Sequence, residues 1–125
     1  MQRGSGGWQN AYRPRTGVGL ELSSNSGTVT VEKSVGGTTT NLRSDTGAQQ
    51  VVTTKQWLRL RVSGTTLQYR IWSDGQIEPS IWTGSVSGLD VVSAGQLFIA
   101  SSRAGTNVGV KTVTFDDLTL TDLNP

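Results

Sequence analysis

Residues 56–73 alternate apolar and polar positions on both sides of a Ser63-Gly64-Thr65-Thr66 centre. Such period-2 alternation marks half-buried β-strands, and a glycine at the centre of the break marks a tight hairpin turn. A two-residue turn at Gly64-Thr65 fixes the register. Val62 pairs with Leu67, Leu60 with Tyr69 and Leu58 with Ile71 on one face, which is continuously apolar and must be the core face. The opposite face pairs Arg61 with Gln68, Arg59 with Arg70 and Trp57 with Trp72. Two like charges directly opposite each other are unfavourable, so Arg59 and Arg70 require solvent, a carboxylate from another strand, or an anionic or polar ligand.

The same periodicity, punctuated by Gly, Asn and Asp, predicts strands over 18–23, 28–34, 38–43, 51–53, 56–63, 66–73, 81–86, 96–101 and 110–120. Asn25-Ser26-Gly27 and Gly36-Gly37 fit tight turns, so the first three strands form a meander. Within it Val29 and Val31 share the inner face, with Thr28, Thr30 and Glu32 on the outer one. Residues 74–80, DGQIEPS, read as a loop, because Asp-Gly starts a turn and Pro79 cannot donate to a central ladder. In the last strand Val113 and Phe115 are out of phase with Leu118 and Leu120. An extra residue at Asp116-Asp117, a β-bulge, repairs that phase; the alternative is that the aspartates turn the strand out to solvent. No segment shows a helical period of useful length.

Composition narrows the function classes. The 125 residues have the length of one domain, expected over 8–125, with the Gly-rich residues 1–7 as a flexible lead-in. There is no cysteine, so neither disulfides nor thiolate metal sites are available. Histidine is absent too, which removes the commonest general base and zinc ligand. The formal net charge is only +2, and the basic residues are dispersed apart from Arg13-Pro14-Arg15, so no nucleic-acid partner is expected. No apolar run reaches transmembrane length and no signal-peptide core precedes the strands, so a soluble chain without membrane contact is expected.

The set Trp57-x-Arg59-x-Arg61-Val62-x-Gly64-Thr65-Thr66-Leu67, then Arg70-x-Trp72, Pro79-x-x-Trp82 and Phe115-Asp116-Asp117-Leu118 resembles concanavalin A-like, laminin-G-like jelly-roll modules. Such modules occur in bacterial surface proteins and in tail or other virion structural proteins of bacteriophages. The resemblance runs from about Trp8 to Leu120. It implies an all-β, antiparallel two-sheet jelly-roll sandwich, at the virion or outside the cell, whose roles are adhesion, glycan binding or assembly rather than catalysis. Strands that usually precede the region of Trp8 to Leu22 are not found, which implies that other virion or surface subunits, or a second copy, cover that side, or that the chain is cut from a longer protein.

No catalytic set is expected. Hydrolases of this fold carry a Glu-x-Asp-x-x-Glu strand that this chain lacks, and Asp116-Asp117, being adjacent, would face opposite ways on a regular strand. No serine has a histidine partner or a Ser-x-x-Lys setting. Some laminin-G-like domains bind calcium, and Asp116, Asp117 and Asp74 would supply part of an oxygen shell, but those aspartates equally suit a bend in the chain, so no metal or cofactor is assigned. The candidate ligand-binding residues are Trp57, Arg59, Arg61, Arg70 and Trp72. Flat aromatics and arginine forks suit sugar rings, carboxylates or partner proteins. The same tryptophans also suit packing beneath a loop, with Trp82 and Pro79 as a plug over the sandwich end. Trp8 and Tyr12, beside Arg13-Pro14-Arg15, are a candidate oligomer contact. Two functions follow: a non-catalytic structural module of a virion or cell surface, or a secreted carbohydrate-binding module.

Overall fold

The computed structural model describes residues 16–23, 26–48, 55–90, 99 and 112–122. Among the described residues there are six strands: β1 (Gly17–Ser23), β2 (Thr28–Val35), β3 (Thr38–Asp45), β4 (Gln56–Ser63), β5 (Thr66–Ser73) and β6 (Gly84–Val86). They form two antiparallel three-stranded sheets, ordered β1-β2-β3 and β4-β5-β6. Among the described residues there is no helix, and hence none long and apolar enough to cross a membrane. The fold is all-β.

Both predicted meander and predicted hairpin are present. In the β4–β5 ladder Leu58 faces Ile71, Leu60 faces Tyr69 and Val62 faces Leu67, with Trp57–Trp72, Arg59–Arg70 and Arg61–Gln68 between them. Gly64 has φ 55° while Thr65 stays at negative φ, the requirement of a type II′ turn, whose twist matches that of the strands it joins. The inner faces of the two sheets meet in one core of Val29 and Val31 from β2, Leu67, Tyr69 and Ile71 from β5, and Leu89. Val18, Leu20, Leu22, Leu42, Ala48 and Val86 pack around it. Each fully buried aliphatic or aromatic side chain contributes about 1.5–3 kcal/mol.

A buried phenol ties the sheets together. Tyr69, fully buried, donates its hydroxyl to Oδ2 of Asp45 at the end of β3. Arg43 donates from Nε to the same oxygen at 2.7 Å. For Asp45 to look inward, β3 has to change phase. The β2–β3 register shifts between Val31 and Glu32, which face Arg43 and Asn41, leaving Leu42 as the extra residue of a bulge. Strict alternation would put Leu42 and Asp45 on opposite faces; the bulge lets both turn to the core. β6 then crosses directly over the Tyr69 ring at Gly84, its register partner. A Cβ on Gly84 would overlap Tyr69 Cε1 and lie 2.8 Å from Asp45 Oδ2. Glycine is required there by close approach, since its φ is not in the left-handed region.

Four expectations are corrected or refined. The core-facing row of β4 is only half covered: Leu58, Leu60 and Val62 are 43%, 40% and 41% exposed, because β4 is the outer strand of its sheet among the described residues. The strand expected over 81–86 is confined to Gly84–Val86. Upstream of it the Ile71 N–H bonds the Thr83 hydroxyl at 3.3 Å, so a side chain replaces the backbone acceptor and the ladder stops. Residues 112–120 form no strand, and Val113, Phe115, Leu118 and Leu120 are 58–76% exposed. The bulge expected at Asp116-Asp117 is accordingly not in a ladder, although Asp117 does take a left-handed φ of 54°. The strand expected over 51–53, most of that over 96–101, and the Trp8, Tyr12 and Arg13-Pro14-Arg15 cluster lie outside the described residues.

The packing at Gly84 generates a prediction. Gly84→Ala will destabilise the protein by about 1–3 kcal/mol, the usual cost of forcing a methyl into a filled site. Gly19→Ala, with nothing within 4 Å of its added Cβ, will be near neutral. Urea unfolding midpoints of the two variants measure the difference, and equal midpoints would contradict the close approach.

Candidate functional site

The outer face of the β4–β5 hairpin carries all five candidate ligand residues, and the structure brings them onto one surface. The opposed arginines are reconciled by a carboxylate, and it comes from the loop after β5 rather than from another strand. Glu78 receives Arg59 Nη2 on Oε2 at 2.9 Å and Arg70 Nη1 on Oε1 at 2.9 Å, with Arg59 Nε also on Oε1. Arg70 further donates to the Ser80 carbonyl at 3.1 Å, and its guanidinium carbon lies 4.1 Å from the centroid of the Trp82 ring. Its buried Nε has no hydrogen-bond partner among the described residues. Hydrogen bonds from Arg59 and then Arg70 hold the Glu78 carboxyl below its ordinary pKa, while the bond to Glu78 raises that of Arg59.

A second cluster occupies the start of the hairpin. Trp57 and Trp72 stack with ring centroids 6.4 Å apart and planes 15° from parallel. The Trp57 indole N–H donates to Asp74 Oδ1 at 2.8 Å, and the Lys55 ammonium stands 4.5 Å from the Trp57 ring centroid. Lys55 also pairs with Asp117 at 3.0 Å and Asp116 at 3.6 Å. The hydrogen bond to Asp117 is the main cause of its raised pKa. Asp74 continues the hairpin by one more backbone bond, from its N–H to the Lys55 carbonyl at 3.0 Å.

These contacts decide what the surface can do. Trp57 has one neighbour ring, a cation over it and a satisfied N–H, so little of it remains for a sugar. Arg59 and Arg70 have their forks filled by Glu78. Arg61, exposed opposite Gln68, forms no ion pair among the described residues and is the candidate with its donors available. Trp82 lies against the Arg70 guanidinium, and Trp72 stacks with Trp57. The three aspartates considered for calcium are split between Lys55 and the Trp57 N–H, and no group of three possible metal ligands occurs among the described residues. The arrangement is a clasp: it pins residues 74–82 over the arginine row and holds Asp116 and Asp117 at the start of β4.

Sequence reasoning placed the arginines and tryptophans but missed Glu78, their shared partner, and the apolar side chains that the clasped loop exposes. Ile77 is 92% exposed and Ile81 78%. The signal was present in the loop's composition, since two isoleucines flanking Glu-Pro-Ser are unusual in a segment otherwise built of turn residues. Comparison of the chain with protein-family models, with curated proteins and with solved structures returns no match.

The clasp has a pH signature. Because Glu78 is acidified by folding, its contribution is complete above the ordinary glutamate value of 4.5 and is lost as pH falls below it through the folded-state value. Protection of the amides across residues 76–82, taken relative to the exchange rate of unstructured peptide at each pH, will therefore be high at neutral pH and fall on acidification. In Glu78→Gln the protection will be low throughout that range. Equal protection in the variant and the parent at pH 7 would show that the loop is held by something else.

Proposed function

We propose that this chain is a non-catalytic jelly-roll module of concanavalin A-like type, serving as a structural subunit of a virion or cell surface and working through assembly with copies of itself or with other subunits. The observation that carries this reading is the exposure of Ile77 and Ile81 on a loop fixed by the Glu78 clamp. Apolar side chains on a rigid loop lose little conformational freedom when they meet a partner, which is how a small number of anchors come to dominate an interface. The arginines and tryptophans stiffen this loop, so the sequence invests its functional-looking residues in presentation rather than in a reaction. No cofactor is required by this role, and the setting it fits is the virion or the extracellular surface.

A second reading, a secreted carbohydrate-binding module, is favoured by one feature: Arg61 with free donors on the same sheet face as the Trp57–Trp72 pair. The two readings separate experimentally. Light scattering will give an oligomeric mass for the parent chain, and Ile77→Ser combined with Ile81→Ser will shift it towards the monomer without lowering thermal stability. A parent that stays monomeric at every concentration, and binds oligosaccharides on a glycan array in an Arg61-dependent way, would replace the assembly reading with the second.

A further inference from the structure

Among the described residues an apolar row on the core side of β4 and an apolar segment near the C-terminus are both left uncovered, and Lys55 links the end of one to the other. The row is the inner face of β4, whose only ladder among the described residues is with β5. The segment is 112–120, exposed and in no ladder, with Asp116 and Asp117 held by Lys55, the residue immediately before β4. We propose that residues 112–120, unpaired in this structure, dock in solution as a seventh strand of the β4–β5–β6 sheet, antiparallel along the outer edge of β4 with Phe115 opposite Leu58 and Val113 opposite Leu60.

Three observations converge on this register. Lys55 fixes which end of β4 the two aspartates meet; in the antiparallel arrangement the residues preceding Asp116 would then run along the strand towards Val62. Phe115 opposite Leu58 puts Asp116 beside Trp57 on the outer face, next to Lys55, where the ion pair already forms. Thr114 and Thr112 then fall beside Arg59 and Arg61, polar against polar. The left-handed φ of Asp117 supplies the third observation. That backbone region is the one used by the first residue of a common bulge type, and one extra residue at this point brings Leu118 and Leu120 into phase with Val113 and Phe115. All four apolar side chains then face the core side, where a regular strand could place only two.

The occupant is this chain's own segment. Its carboxylates are tethered to Lys55 of the same chain, and a tethered strand meets the edge at an effective concentration that a free second copy reaches only at high protein concentration. The docked strand would also protect a sheet edge that is bare among the described residues from pairing with other chains. This inference does not depend on which partner the module assembles with.

The chain contains no cysteine, so paired substitutions give a clean readout. Leu60→Cys with Val113→Cys will close an intramolecular disulfide under mild oxidation. Leu60→Cys with Thr112→Cys, one residue out of register, will close at least about tenfold more slowly, because its side chains point to opposite faces. In the unsubstituted chain the amides of residues 113–115 will be protected from hydrogen exchange, and Lys55→Gln will reduce that protection. Equal closure of the two pairs, no closure in either, or unprotected amides in the parent would overturn the proposal. A disulfide-linked dimer would also overturn it, assigning the edge to a second copy.

Discussion

The Tyr69 hydroxyl, buried between two sheets, gives its hydrogen to the Asp45 carboxylate, its acceptor among the described residues. A buried phenol without a partner costs about 1–3 kcal/mol, so the position of Asp45 is a condition on the whole packing. Asp45 can reach Tyr69 only because β3 carries an extra residue at Leu42, and Arg43 is then close enough to share the carboxylate. The Arg43 hydrogen bond, followed by that of Tyr69, holds the Asp45 carboxyl below its ordinary pKa. Burial, reinforced by the Asp45 bond, pushes the Tyr69 phenol far above its own. The ring fills the volume above β6, which is why a glycine stands at position 84. Bulge, ion pair and glycine, on three strands, answer one requirement.

On the outer face the governing constraint is charge. The hairpin register puts Arg59 directly against Arg70, and a loop containing one glutamate relieves the repulsion by lying across both. Exposed ion pairs of this kind add little to global stability. Their consequence is local order: the loop has one geometry, Trp82 is fixed beneath Arg70, and Ile77 and Ile81 are displayed in place. The Lys55 cluster does the same at the other end of the hairpin, ordering Trp57 and the segment at Asp116 and Asp117. Both clusters use cations over aromatic rings, whose attraction survives partial exposure better than a bare ion pair does.

What could be read from the sequence is what alternation specifies. Leu58 to Ile71 alternate on both sides of a glycine turn, so pairing and facing of β4 and β5 follow residue by residue. Val29 and Val31 are equally plain, and both are fully buried. The bulge at Leu42 was not legible because Thr38, Thr39, Thr40 and Asn41 are all polar and leave the phase of β3 undefined until Asp45 is known to serve Tyr69. Glu78 was not legible because loops have no period; only the need of two opposed arginines for a carboxylate was. The apolar positions from Val113 to Leu120 were read as a strand, which the described structure leaves unseated, since alternation shows that a segment can pair but not where its partner edge lies.

The link between the sheets is tested most directly by a double-mutant cycle of Tyr69→Phe and Asp45→Ala in equilibrium urea unfolding. A hydrogen bond from a buried hydroxyl to a carboxylate will appear as a coupling energy of about 1–3 kcal/mol. Additive losses, with no coupling, would mean that the two sheets are held by apolar contact alone and that the bulge in β3 has another cause.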